Sequence, residues 1–267
     1  MPANSVRRIT SPVASAEAAP PRRHGTPSMP GIENGPHTVS AFDEELMGVR
    51  ARIAEMGGLA EEMLSQALEG LEKRDGPALE GVILRDKRLD ALEALVEEQI
   101  IRLIALRAPV AADLRLLVAG LKIAATLERV GDLAKSTARR GLELSEERRS
   151  RVSASVIRMG REAQKRLAEA LDAFASRDSG LALQVWRRDV EIDELYNALF
   201  RELVTYMMED PRTIGAGSHH MFIAKNLERV GDHATHVAEM TWYVVEGEPI
   251  AEERPRGPRG YGEDAPG

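Results

Sequence analysis

The amino-acid sequence predicts an all-α fold of two pseudo-symmetric three-helix bundles, with six long helices and disordered N- and C-terminal tails. Three observations support this fold class. Aromatic residues make up only 4% of a chain that is dominated by Leu, Ala, Val, Glu and Arg, and such a composition favours helices. Apolar residues recur at helical spacing through the central region, where no convincing strand-like alternation is found. The chain also repeats itself after about one hundred residues.

Proline separates the folded region from the tails. Seven of the 14 prolines lie within the first 36 residues, and four lie from Pro249 onward. Both ends are also rich in Gly, Ser, Ala and charged residues, so they have too little apolar surface to become ordered. We therefore expect disordered tails at residues 1–37 and 248–267. Between them lie two helical repeats, at residues 38–146 and 147–247.

Turn residues delimit the helices in order. An apolar stripe predicts the first helix over about residues 39–73. In the RDGP sequence that follows, Asp75 is the expected N-cap of a second helix and Pro77 lies in its first turn. That helix runs to about residue 107, and the third runs from Pro109 to about residue 144. The fourth covers about 152–175, the fifth runs from the SRDSG turn to about 209, and Asp210-Pro211 opens the sixth, which ends near 245.

A duplication relates the two sets of three helices. Segments 121–134 and 221–234 are identical at nine of 14 positions, and both contain LERVGD. The dipeptide RD at 74–75 recurs at 177–178, and D-x-x-x-D at 86–90 recurs at 189–193. A repeat that preserves the order of helices predicts two bundles related by a pseudo-twofold axis.

Each repeat also contains two pairs of acidic residues four positions apart, so that each pair shares one helix face. Asp90 and Glu128 are both 19 residues from Pro109, and Asp86 and Asp132 are both 23 residues from it. In an antiparallel helix hairpin, these four side chains therefore lie at one level. Helix axes pack roughly 8–10 Å apart, which is close enough for facing carboxylates to share a cation.

The acids of the second repeat are also expected at one level, because each pair is equally far from the midpoint between residues 210 and 211. These pairs are Asp193 with Glu228 and Asp189 with Asp232. Carboxylate ligands suit hard cations such as magnesium, manganese and iron. We therefore expect divalent or trivalent metal ions, of undetermined identity, at eight acids. These predicted ligands are Asp86, Asp90, Glu128, Asp132, Asp189, Asp193, Glu228 and Asp232. Arg129 and Arg229, which each follow a glutamate of the motif, are expected to neutralise or orient the acids, or to bind an anionic ligand.

A structural interpretation of the acids stays open at this point. Acids four residues apart commonly form a solvated helix face, and duplicated residues can simply be retained. Gly131 and Gly231 favour a built site, because a glycine within a helix costs about 1 kcal/mol relative to alanine. They indicate either a close backbone approach or room for a hydrated ion. His233 and His236 flank the second motif, but the first repeat has no histidine at the equivalent positions, so we do not include them among the repeated ligands.

Composition narrows the function. The net charge of −7 and the lack of a broad basic surface argue against a nucleic-acid partner. The absence of cysteine excludes disulfides and thiolate metal sites, and a reducing cytoplasm is expected. No apolar run reaches the ~18 residues of a membrane helix.

The duplicated LERVGD, its D-x-x-x-D partners, PVAADLR at 109–115 and HTVSAFDEEL at 37–46 together resemble the PhoU family over about residues 37–247. That resemblance implies two three-helix bundles whose acidic motifs bind metal clusters. It also implies a non-enzymatic regulator of bacterial phosphate homeostasis, cytoplasmic or peripheral at the inner membrane, and a homodimer. The implied partners are the ABC phosphate transporter, which it restrains, and the phosphate-sensing histidine kinase, which it keeps in a repressing state. The second turn, EDPRTIGAG, departs from the PVAADLR pattern, so a role of Asp113 or Arg115 does not carry over to the second repeat.

Other function classes remain as alternatives. A di-metal enzyme on a ferritin-like bundle needs a Glu-x-x-His motif from each of two helices, and no glutamate near the acids has one. A Ser-His-Asp order, a P-loop and G-x-G-x-x-G are also missing from the folded region. A carboxylate-cluster metal buffer would load reversibly, and its deletion would leave phosphate control unchanged. A divergent relative with other partners is the third alternative.

Overall fold

The structure, a computed structural model, describes residues 36–146 and 152–255 of the 267-residue chain, with side chains from residue 41 onward. These residues form seven α-helices and one short 3-10 helix, and they contain no strand. The helices are α1 (Pro36–Lys73), α2 (Gly76–Arg107), α3 (Ala111–Ser145), α4 (Ser153–Ser176), α5 (Ser179–Arg187), α6 (Val190–Glu209) and α7 (Ile214–Glu246), with the 3-10 helix at Pro211–Thr213. The all-α fold class is confirmed.

Two bundles pack side by side. α1, α2 and α3 contact one another in the first, and α4, α5, α6 and α7 form the second. α3 packs along α7, and α1 contacts α4, so each helix at this interface meets its counterpart from the other repeat. This is the arrangement expected from pseudo-twofold symmetry. None of the helices in the described ranges combines the length and apolar character that a bilayer crossing requires.

The predicted tails fall largely outside the described residues, which exclude 1–35 and 256–267. Residues 147–151, at the predicted boundary between the repeats, are outside them as well. The segment 248–255 belongs to the predicted C-terminal tail but is described: it is not helical, and it returns to the second bundle through Arg254. The domain boundaries stay predictions.

The repeated RD dipeptide ends one helix and begins the next. Arg74 and Arg177 have left-handed backbone conformations, with φ of 60° and 56°, after the last residues of α1 and α4. Asp75 then caps α2 by accepting a hydrogen bond from the backbone N–H of Ala78 at 3.1 Å. Asp178 caps α5 by accepting one from Leu181 at 2.9 Å. These N-caps satisfy backbone donors that a helix start leaves free, as the sequence predicted for Asp75.

The predicted fifth helix is interrupted at residues 188 and 189, which separate α5 from α6. Arg166 of α4 is fully buried there and donates a hydrogen bond to the backbone carbonyl of Arg188. It also donates to Glu191 at 2.9 Å and to Glu162 at 3.2 Å. The guanidinium thus satisfies a backbone carbonyl at the helix break. The RD dipeptides of the two repeats are 103 residues apart, so the first-repeat counterpart of Arg166 is Met63. The helix that follows in the first repeat, α2, is not interrupted.

Candidate metal centres in the two repeats

In the first repeat, the structure brings the acids of α2 and α3 together at one level, as counting from the turn predicted. Burial raises the pKa of Asp90, and the nearby carboxylates of Asp86 and Asp132 raise it further. Burial likewise raises the pKa of Glu128, to which the charges of Asp132 and Asp90 add. Asp90 and Glu128 therefore lie within electrostatic reach of the other acids of the group, and the like charges around these two carboxyl groups favour their protonation or a bound cation.

A lysine that was absent from the predicted site bridges this group. Lys135 lies one helical turn after Asp132 on α3 and donates a hydrogen bond to it at 2.8 Å. The same ammonium group donates to Asp86 of α2, which is only 5% exposed. These hydrogen bonds, to Asp132 first and then Asp86, raise the pKa of Lys135. A buried carboxylate is costly unless it is paired, and Lys135 supplies the pairing charge.

In the second repeat, an arginine from outside the helices bridges the corresponding acids. Arg254 donates from Nε to Asp189 Oδ2 at 2.7 Å and from Nη2 to Asp189 Oδ1 at 2.9 Å. Nη2 also donates to Asp232 Oδ1 at 2.6 Å. Asp189 and Asp232 are the repeat counterparts of Asp86 and Asp132. Both repeats thus join the same pair of acids through one cation of the chain itself.

The source of that cation differs because the residue at one position differs. Thr235 lies 100 residues after Lys135 and occupies its position in the second repeat. Its hydroxyl donates a hydrogen bond to Asp189 at 2.7 Å. A side chain at this position therefore contacts the buried acid in both repeats, but threonine carries no charge. Arg254 provides the charge that Lys135 provides in the first repeat.

Glu228 contains an available ligand atom. Burial raises the pKa of Glu228, and the charges of Asp232 and Asp193 raise it further. The hydrogen bond from Lys225 acts in the opposite direction, but the pKa remains above its ordinary value. Lys225 donates to Oε1 at 2.8 Å. Oε2 is buried and has no hydrogen-bond partner among the described residues. Such an unpartnered oxygen calls for an explanation. The oxygen-only donor set fits a hard cation.

Even so, the carboxylates do not enclose a ready-made coordination site. Within residues 41–146 and 152–255, no three acidic or histidine side chains are grouped closely enough to hold one metal ion. Lys135 in the first repeat and Arg254 in the second repeat are bound between acids of the predicted clusters. Metal binding by the eight acids therefore stays a prediction, and it would require these cations to share or leave their positions.

The two motif glycines allow close helix packing. A Cβ atom at Gly131 would lie 2.3 Å from Leu89 Cδ2, and one at Gly231 would lie 2.6 Å from Ile192 Cδ1. Leu89 and Ile192 each precede the second aspartate of a D-x-x-x-D motif. Of the two reasons that the sequence suggested, close approach thus accounts for both glycines. It also brings the acids of neighbouring helices together.

The arginines of the motif have no hydrogen bond or ion pair with the predicted ligands among the described residues, although Lys135 lines the same cleft. Arg129 and Arg229 are exposed and line one cleft between α3 and α7. Burial, followed by the charges of Arg229 and Arg129, lowers the pKa of His233 to about 4, so this histidine is neutral near pH 7. His236 is 3.3 Å from Glu239. In the described part of the chain, neither histidine belongs to a group of three side chains that could hold a metal ion.

Comparison with known proteins agrees with the fold and the repeat. A family model described as the PhoU domain matches residues 53–141 and 156–241. The phosphate-specific transport system accessory protein PhoU homolog of Caulobacter vibrioides is 48% identical over 221 residues, which cover 82% of this chain and 96% of that protein. The crystal structure of PhoU from Pseudomonas aeruginosa matches with a TM-score of 0.76 at 41% identity, over 78% of this chain and 100% of that one. The crystal structure of the phosphate transport system regulatory protein PhoU from Streptococcus pneumoniae matches with a TM-score of 0.73 at 29% identity. This match covers 79% of this chain and 100% of that one.

Proposed function

Because this chain belongs to the PhoU family, we propose that it is a non-enzymatic regulator of bacterial phosphate homeostasis. It restrains phosphate import by the ABC phosphate transporter and keeps the phosphate-sensing histidine kinase in its repressing state when phosphate is plentiful. The observation that carries this proposal is the match of the family model to both repeats. Relatives named as accessory and regulatory proteins of phosphate transport support it.

The proposal includes metal binding at the acidic clusters. Asp86, Asp90, Glu128 and Asp132 hold the ion or ions of the first repeat, and their second-repeat counterparts hold those of the second. A bound cation would neutralise the repulsion among the carboxylates and cross-link neighbouring helices. The raised pKa of Glu128 and the unpartnered oxygen of Glu228 support this assignment. Iron, manganese and magnesium are the expected metals.

In this mechanism the two bundles act as a rigid docking surface. The protein is cytoplasmic or peripheral at the inner membrane, and two copies associate as a homodimer. Metal loading stiffens the contacts between α2 and α3 and between α6 and α7, which preserves the surface presented to the kinase and the transporter. The chain's own residues thus perform binding and positioning, and no catalytic step is involved.

A deletion strain tests the regulatory role. A reporter of a phosphate-starvation gene is measured in phosphate-rich medium, in the deletion strain with and without the wild-type gene. We expect the reporter to be derepressed without the gene and repressed when it is restored. Normal repression in the deletion strain would instead indicate partners outside phosphate control, or a metal buffer if the purified protein loads metal reversibly.

Elemental analysis of purified protein tests the metal sites. The double variant Glu228→Ala/Asp232→Ala is expected to bind less metal than the wild type, since the first cluster is intact, while its helical content stays near that of the wild type. The matched control is Glu97→Ala/Glu98→Ala, which removes two exposed acids from α2 and is expected to retain metal. Equal metal content in all three proteins would exclude Glu228 and Asp232 as ligands.

A further inference from the structure

Where the two repeats meet, α3 and α7 form a cleft of about 370 Å³. Small-ligand sites typically have volumes of roughly 300–1,000 Å³. Four of the eight residues that line the cleft are basic: Arg129, Lys135, Arg139 and Arg229. The cleft is therefore a cationic region in a chain whose net charge is −7. It adjoins the first carboxylate cluster, with which it shares Lys135 and Asp132.

The acid in the cleft does not neutralise the arginines. Asp132 is the only acidic residue of the lining, and it accepts a hydrogen bond from Lys135 at 2.8 Å. Lys135 is also bound to Asp86. Within the part of the chain that the structure describes, none of the three arginines has an ion pair or a side-chain hydrogen bond. Three guanidinium groups are therefore left without a counter-charge in one concave surface.

Neutral polar groups hold the walls of the cleft together. Asn226 of α7 donates a hydrogen bond from Nδ2 to Ser136 Oγ of α3 at 3.0 Å. Because the Ser136 oxygen is the acceptor in this bond, its own O–H proton remains available as a donor. Arg129 and Arg229 come from equivalent positions of the two repeats and therefore approach the cleft from opposite walls. The arrangement offers N–H and O–H donors to a ligand that accepts from several directions.

We propose that this cleft binds a small oxyanion carrying a phosphate group, held between the guanidinium groups of Arg129 and Arg229. The planar fork of an arginine donates two parallel hydrogen bonds to phosphate oxygens, so two forks that line one cleft select a compact anion with oxygens on several sides. The anion site follows from the charges of the cleft, whereas the choice of phosphate rests on the proposed function. Dissolved phosphate and the headgroup of an acidic lipid share this chemistry.

Calorimetric titration of the purified full-length protein with inorganic phosphate, at low ionic strength, tests the proposal. We expect Arg129→Gln/Arg229→Gln to weaken binding about tenfold or more for each arginine lost, because each removes a charge-assisted hydrogen bond. The matched control Arg102→Gln/Arg201→Gln removes the same charge from exposed positions on other helices and should bind as the wild type does. Arg129→Lys/Arg229→Lys keeps the charge and should bind with intermediate affinity, because lysine lacks the fork.

A flotation assay with phosphatidylglycerol vesicles separates the two sources of phosphate. Binding to vesicles that is lost in the Gln double variant, without binding of dissolved phosphate, would assign the site to a headgroup. The proposal is overturned if the wild type binds neither, or if the control variant loses as much affinity as the Gln variant. These outcomes are independent of the reporter result in the deletion strain. If the reporter is derepressed in that strain but the protein binds no anion, only the proposed anion site is overturned. Normal repression with an intact anion site would overturn only the regulatory role.

Discussion

Arg254 donates two hydrogen bonds to the carboxylate of Asp189, at 2.7 and 2.9 Å, from a position 65 residues later in the chain. The pair closes the second acidic cluster with a segment that follows the last helix. In the first repeat, the corresponding pair of Lys135 and Asp86 instead joins two helices of one hairpin. The two clusters thus have similar acids but differ in the source of the bridging cation, since Arg254 belongs to a non-helical segment.

Arg254→Gln is expected to destabilise the metal-free protein by about 2 kcal/mol, because it removes charged hydrogen bonds from a buried carboxylate. Manganese should then stabilise the variant more than the wild type, since its binding no longer competes with the guanidinium. Thermal unfolding with and without manganese measures both effects. Arg187→Gln is the control: Arg187 pairs with Glu252 at 2.7 Å but both are more than half exposed, and its loss should matter little. An unchanged Tm for Arg254→Gln would contradict the bridging role.

Alanine at either motif glycine is expected to destabilise the protein, although alanine favours helices. The added methyl group would overlap Leu89 at position 131 and Ile192 at position 231, and overpacking typically costs about 1–3 kcal/mol. Gly231→Ala should cost more, because its Cβ also lies 3.2 Å from Ile192 Cγ2 and a β-branched side chain has little freedom to move. Urea unfolding measures the change.

Gly58→Ala is the matched control for these variants. Gly58 lies within α1, and a Cβ there would meet no atom within 4 Å. The substitution should stabilise the protein by up to about 1 kcal/mol through helix propensity alone. If alanine at 131 or 231 were stabilising as well, the close packing would not be the reason for glycine, and room for a hydrated ion would again be the better explanation.

His220 is expected to make stability depend on pH. Its Nδ1 is 2.8 Å from the Ala216 carbonyl and its Nε2 is 3.0 Å from Ser153 Oγ. Burial lowers its pKa from 6.5, so the unfolded chain takes up a proton below about pH 6.5 while the folded protein resists it. The free energy of unfolding should therefore fall as pH falls through 6.5, until the lower folded pKa is reached.

Comparing the wild type with His220→Gln isolates this contribution, because the other titrating groups are common to both proteins. Denaturant unfolding between pH 7.5 and 5, on either side of the value of 6.5, should show the advantage of the wild type shrinking as the pH decreases. A constant difference across this range would mean that His220 titrates alike in the folded and unfolded protein.

Arg166→Met places in the second repeat the residue type that Met63 supplies in the first. Its expected cost is about 1–3 kcal/mol, because the carbonyl of Arg188 loses its buried donor. Glu162 and Glu191 keep Arg188 as a partner, at 3.5 and 3.2 Å, which limits the loss. Arg161→Gln, which breaks an exposed pair with Glu72, should have a smaller effect in the same unfolding measurement.

Much of the fold was predictable because it depends on local signals. The RD dipeptides located the starts of α2 and α5, since an N-cap needs only an aspartate beside the first helical turn. The break between α5 and α6 was not predictable, because neither proline nor glycine marks residues 188 and 189. It depends on a buried arginine of α4, 22 residues from the carbonyl that it satisfies.

The site divides in the same way. Counting residues from the turn was enough to predict that the four acids of each repeat lie at one level. Antiparallel helices have the same rise per residue, so two residues equally far from the turn lie side by side. Lys135 gave a detectable signal, being three residues after Asp132 on one helix face. Arg254 gave none, because it lies among prolines and charged residues that resemble a solvated tail.

The sequence by itself determined the helices, the duplication and the eight acids at matching levels, because helical periodicity, caps and spacing act over one or two turns of chain. Only the tertiary structure decided which cations occupy those acids and why glycine lies beside them. It also decided that the motif arginines share a cleft. Those features depend on side chains brought together across helices from distant parts of the chain, where burial makes a pairing charge necessary and close packing leaves no room for a methyl group.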